Sequence, residues 1–180
     1  MSYHIALDLE SNALWGDEGQ IICYAFVGQD GLTKSGAAPS EDEEKDLLRH
    51  LLSDLWELKT RYHAPRILTY NGYHYHYPMI ITRMLRWGMR EEIRRFVSNF
   101  TGKAHLDLYS VVSRSLSLKT RDLHSVCAHF HLPLTSEPAG EWIDQQWAAG
   151  NYEGLRAHCC QEAAVLHPLY RRLADLGLIY

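Results

Sequence analysis

The sequence predicts one α/β domain, and three observations predict it. Through residue 70 the apolar patterning runs strand, strand, strand, helix, strand; beyond residue 76 it is almost entirely helical. At 180 residues, 46% hydrophobic and 22% charged, the chain suits a single core better than two.

Each element has its own signal. Residues 5–10, Ile-Ala-Leu-Asp-Leu-Glu, form an apolar run carrying two acids and read as the first strand, followed by a loop over 11–20. Residues 21–27 are apolar throughout, which predicts a strand buried on both faces. Gln29-Asp30-Gly31 supplies a turn, and residues 32–36 return as a short third strand. Ser40-Glu41-Asp42-Glu43 is a capping box, after which Leu47, Leu48, Leu51, Leu52, Leu55 and Leu58 recur at helical spacing. Residues 66–70 form a strand after Pro65. Helices are expected over 77–87, with Pro78 in the first turn and Gly88 as terminator, and near 91–97, 107–114, 121–130 and 141–148. A long last helix over 152–176 contains Pro168, which is expected to kink or split it. Residues 133–140, with two prolines and a glycine, are expected to be a mobile loop.

Composition narrows the function. No apolar run approaches the ~20 residues that span a bilayer, so no membrane association is expected. The N-terminus lacks a basic stretch leading into an apolar one, and the expected compartment is cytoplasmic. Cys23, Cys127, Cys159 and Cys160 have no CxxC spacing and read as reduced structural thiols. A net charge of −4 does not suit a protein that simply coats nucleic acid, whereas a site built of acids fits it. Arg83, Arg86, Arg90, Arg94 and Arg95 crowd one region and read as a solvated helix face, with a phosphate-tracking patch as the other option.

Successive strand residues alternate faces, so Asp8 and Glu10 share one face while Leu7 and Leu9 take the other. Carboxylates beside a core are costly to desolvate without a positive partner, and a divalent metal answers that need; two acids facing water at a strand end is the other reading. Further along, Asn71-Gly72 has turn chemistry, Tyr73 and Tyr75 are either core aromatics or surfaces for stacking unpaired bases, and Asp107 stands where an acid caps a helix.

Leu7-Asp8-Leu9-Glu10, Tyr70-Asn71-Gly72-Tyr73-His74-Tyr75-His76-Tyr77-Pro78 and His158-Cys159-Cys160-Gln161-Glu162 together resemble the motifs of DEDD-type 3′–5′ exonucleases. The similarity is to predicted exonucleases related to the proofreading domain of family-B DNA polymerases, and the segments at 103–109 and 118–123 extend it over nearly the whole chain. The resemblance implies an RNase H-like mixed β-sheet flanked by helices over residues 1–180. It also implies a metal-dependent 3′–5′ exonuclease acting on the 3′ end of single-stranded DNA or RNA.

By the same resemblance, Asp8, Glu10, His76 and Glu162 are the metal ligands, and Asp8, Glu10, His158 and Glu162 the catalytic residues. Asn71, Tyr73, Tyr75 and Lys119 would contact nucleic acid. Two divalent metal ions about 3.5–4 Å apart are implied, magnesium or manganese. This chain departs from the pattern: His76 stands at a metal-binding Asp, Glu162 at the final Asp, and His158 at the Tyr that orients the attacking water. Imidazole at position 76 admits zinc as an alternative. The departures keep a second reading open, a catalytically impaired domain that binds nucleic acid or a protein. A protein partner or self-association would supply targeting in either case.

Overall fold

A computed structural model describes residues 3–63 and 65–179. Five strands, β1 (His4–Ser11), β2 (Ile21–Gly28), β3 (Thr33–Ala37), β4 (Arg66–Thr69) and β5 (His105–Asp107), form one mixed sheet in the order β3-β2-β1-β4-β5. β1 is therefore central, antiparallel to β2 and parallel to β4, and β4 pairs in parallel with β5. Seven helices among the described residues flank it: α1 (Glu41–Arg61), α2 (Tyr77–Arg86), α3 (Arg90–Phe100), α4 (Leu108–Ser115), α5 (Leu123–His129), α6 (Glu141–Ala148) and α7 (Tyr152–Asp175). None of them is long and apolar enough to cross a membrane.

Strand alternation divides the core. Ile5, Leu7 and Leu9 of β1, with Tyr24 and Phe26 of β2, meet the leucine stripe of α1 and the apolar faces of α2 and α3. Ala6 turns to the opposite face, where Val165, Leu166 and Leu169 of α7 pack with α4 and α5. Asp8 and Glu10 share that second face, so the acids are carried by a strand held between two cores.

Several local expectations need correction. β5 is only three residues long, too short for an alternating pattern, and exists because it pairs with β4. Asp107 ends β5 and caps α4 through its side chain, which accepts from the Tyr109 N–H at 3.1 Å. The expected helix over 121–130 starts later, at Leu123, because the Asp122 carboxylate accepts the Ser125 N–H at 2.9 Å. The Ser40 capping box closes between side chains: Ser40 Oγ donates to Glu43 Oε1 at 3.2 Å while the Glu43 N–H donates to the Ser40 carbonyl. Pro168 does not split the last helix, which runs as one 24-residue element; burial of Leu166, His167 and Leu169 around it offsets the missing hydrogen bond.

The arginine cluster is not a uniform solvated face. Arg83 is 1% exposed, and its guanidinium donates to both oxygens of Glu44, itself wholly buried, and to the Gly16 carbonyl. Glu44 also accepts from Trp87 Nε1 and the Ile21 N–H, both at 2.7 Å. One buried ion pair thus ties α1, α2, the start of β2 and the loop before it. Arg86 pairs with Glu41, Arg94 with Glu91, and Arg95 lies over the Trp56 ring.

Candidate metal centre

The centre is assembled from three places in the chain, β1, the turn before α2, and α7. β1 supplies Asp8 and Glu10, and their cross-strand neighbours on β2, Ala25 and Cys23, are small. An extra residue on β2, Ile22, bulges the ladder where Glu10 gives way to Ser11, increasing the local twist beside the acids.

After β4, Asn71 adopts a left-handed conformation (φ 67°), and Gly72–His76 form a single π-helical turn that runs into α2. Asp107 fixes the entry to that turn, accepting from the Asn71 N–H at 2.8 Å. Gly72 is required because an added Cβ would overlap the Thr69 side chain and come within 2.8 Å of His105 Nε2. The turn delivers His76 to Asp8, with Nε2 and Oδ1 3.3 Å apart.

α7 supplies His158 and Glu162, which its i,i+4 spacing stacks on one face. His158 Nε2 lies 3.2 Å from Glu10 Oε1 and 3.4 Å from Glu162 Oε1. Glu10, His158 and Glu162 each offer a ligand atom within 4.8 Å of the others, and all three are buried. Trp142 of α6 stacks on the His158 ring, with centroids 5.0 Å apart.

Burial sets the electrostatics. It pushes the Glu10 carboxyl up, and Asp8 adds to the effect. Burial, then the charge of Asp8, raises Glu162 to about 8 against an ordinary 4.5. Burial works against charge on His158, yet Glu10, Glu162 and Asp8 together hold its pKa above the ordinary imidazole value. Four buried polar atoms here lack a hydrogen-bond partner among the described residues: Asp8 Oδ2, His76 Nδ1 and both ring nitrogens of His158. Clustered carboxylates with orphaned acceptors and imidazoles fit a cation, so the donor set suits the divalent metals implied by the motifs.

A cleft of about 350 Å³ opens beside Glu10, lined by Ser11, Leu14, Asn71, Tyr75 and Gly140 among others. Tyr75 is anchored there, its hydroxyl 2.7 Å from Ser11 Oγ. Of the other residues expected to meet nucleic acid, Asn71 lines this cleft, whereas Tyr73 lines a second one beside β5 with Arg66, Lys103 and Arg114. Lys119 is exposed between α4 and α5, and neither cleft includes it among its lining residues.

Sequence reasoning missed two neighbours of Glu162. His124 Nε2 lies 3.2 Å from Glu162 Oε1, and Ser136 Oγ donates to the same oxygen at 3.2 Å. His124 carries no motif signal; it borders the apolar stripe Leu123, Val126 and Cys127. Ser136 belongs to the stretch expected to be a mobile loop, which Thr135 also ties to α7 through Gln161 at 3.1 Å. The cysteines are free thiols as expected, with Cys23 and Cys159 packed 3.0 Å apart behind the acids.

Comparison with known proteins bears on this arrangement. The chain is similar to the family B DNA polymerase from the hyperthermophilic archaeon Pyrobaculum calidifontis, with a TM-score of 0.78 and 16% identity over 99% of this chain. It spans only 25% of that polymerase chain, and at this identity the likeness shows the fold alone. No curated protein matches the sequence. The model of one family, described as the RNase H superfamily, matches residues 5–139, which hold the sheet except its first residue, His4, together with Asp8, Glu10 and His76, and end before α7. With a central acid-bearing strand in a mixed sheet and that match over most of its length, the chain belongs to the RNase H superfamily.

Proposed function

We propose that this domain is a metal-dependent 3′–5′ exonuclease that hydrolyses phosphodiester bonds of single-stranded DNA or RNA. The observation that carries the reading is that β1, the π-helical turn and α7 bring His76 against Asp8 and His158 against Glu10 and Glu162, all of them buried, with Glu10 also lining an open cleft. Asp8 and Glu10 would hold two divalent ions between them, with Glu162 and His76 completing the set. Magnesium or manganese is the ordinary occupant, and zinc is admitted by imidazole. Bound metal would supply charge stabilisation and water activation for phosphodiester hydrolysis.

The chain's own groups define where a strand end would lie. Asn71 and Tyr75 line the cleft together with Glu10, and Leu14 and Ile143 give it apolar surface. Tyr75 is held by Ser11, so its ring is a fixed surface against which a terminal base can stack. Burial keeps bulk water from the acids, which strengthens their hold on any cation they share.

Digestion of end-labelled single-stranded DNA and RNA tests this. Shortening from the 3′ end with magnesium, manganese or zinc is expected, and Asp8→Ala should abolish it. Retained cleavage in Asp8→Ala would place the activity elsewhere. The imidazole at position 76 favours the second reading, a domain that binds the strand without cutting it; binding without cleavage under every metal would establish that one.

A further inference from the structure

His158 occupies the position where the resemblance implies a water-orienting group, but its surroundings are those of a ligand. Its Nε2 faces two carboxylate oxygens at once, Glu10 at 3.2 Å and Glu162 at 3.4 Å. His158 is 3% exposed, and Trp142 stacked on its ring leaves it little freedom to swing toward a water in the cleft. His158 and the cleft are also separated: Glu10, Ile143 and Gly140 line that space and His158 does not.

Glu162 is held just as firmly. Oε1 faces His158 on one side and on the other accepts from Ser136, with His124 Nε2 at 3.2 Å, so its rotamer is set from outside the centre. Asp122, the cap of α5, fixes the helix start that presents His124. Supported ligands with outer partners of this kind are the usual construction of a metal site. Magnesium prefers oxygen ligands and keeps its waters, whereas a set of one imidazole and two carboxylates suits zinc, a borderline ion, and ranks manganese, which is harder but still above magnesium for nitrogen ligands, between the two.

We propose that Glu10, His158 and Glu162 form a transition-metal site in which His158 is a direct ligand, with His124 and Ser136 positioning Glu162. His76 beside Asp8 then gives the neighbouring position imidazole as well, so the centre as a whole takes zinc or manganese in preference to magnesium. The inference rests on the nuclease reading only for the existence of a metal centre; its test needs no substrate.

Metal-stripped protein titrated calorimetrically with zinc, manganese and magnesium should bind zinc and manganese at least 100-fold more tightly than magnesium. X-ray absorption at the zinc edge of the loaded wild-type protein should show imidazole scattering. His158→Gln should lose zinc affinity by roughly 100-fold or more and lose part of that scattering. His124→Ala, a positioning change, should cost ~10–100-fold, and His124→Gln, which keeps a donor, should recover most of it. Circular dichroism confirms that each variant is folded. Equal affinity for magnesium and zinc, zinc bound without imidazole, or unchanged zinc binding in His158→Gln would each overturn the proposal while leaving magnesium-dependent cleavage, and with it the nuclease reading, intact. Conversely, tight zinc binding with no cleavage of any strand would retain the site and remove the nuclease reading.

Discussion

Replacing Glu162 by Gln should stabilise the metal-free protein while removing its capacity to hold metal. Glu162 is 8% exposed, and its pKa is pushed to about 8 from 4.5, first by burial and then by the charge of Asp8. A carboxyl raised in the folded state keeps a proton that the unfolded chain has already lost, so stability falls as pH climbs from 4.5 through 8. At ~1.4 kcal/mol per pH unit that interval has a ceiling of ~5 kcal/mol, and sharing of charge with His158 brings the expected loss to on the order of 3 kcal/mol.

Gln cannot ionise, and its carbonyl still accepts from Ser136. In chelator at pH 8.5, Glu162→Gln should therefore melt above wild type by about 6–12 °C, taking ~2–4 °C per kcal/mol for a chain of this size. At pH 5 the two proteins should melt within a degree or two of each other. Added zinc or manganese should raise the wild-type melting temperature at pH 8.5 and leave the variant unchanged. Melting curves of both proteins at the two pH values decide it. An equal gap at both pH values, or a variant less stable than wild type at pH 8.5, would refute the account of Glu162 as a buried acid under like-charge strain.

Three further outcomes are expected. Glu44→Ala or Arg83→Ala leaves the other charge buried and unpaired and should cost ~3–5 kcal/mol in urea unfolding, against little for Arg94→Ala on the exposed face of α3. Gly72→Ala should cost about 1–3 kcal/mol by overpacking against Thr69 and His105 and, because it displaces the turn that carries His76, should weaken metal binding measured by calorimetry. His76→Asp puts a carboxylate next to Asp8 and should raise magnesium-dependent cleavage by about tenfold, ~1.4 kcal/mol of barrier; unchanged cleavage in the presence of magnesium would show that position 76 does not serve that ion.

Much of the frame is written in local pattern. The β1 and β2 runs, the leucine spacing of α1 and the order of elements follow from side-chain periodicity, which any chain must satisfy to bury its apolar faces. Alternation along β1 alone puts Asp8 and Glu10 on one face, and the i,i+4 spacing of His158 and Glu162 puts those two on another. What pattern does not carry is contact between segments far apart in sequence. β5 exists only as a partner of β4, Arg83 looks like a surface arginine until α1 brings Glu44 to it, and the turn that aims His76 depends on Asp107, 31 residues further on.

The same holds at the centre. The sequence by itself determined which acids are available and which strand and helix faces they occupy. Only the tertiary structure decided that His158 lies between Glu10 and Glu162 and that His124 and Ser136 brace Glu162. The physical reason is that periodicity places a side chain relative to its own helix or strand, whereas a ligand set is defined by distances between elements, and those distances are settled by how the two faces of the sheet pack.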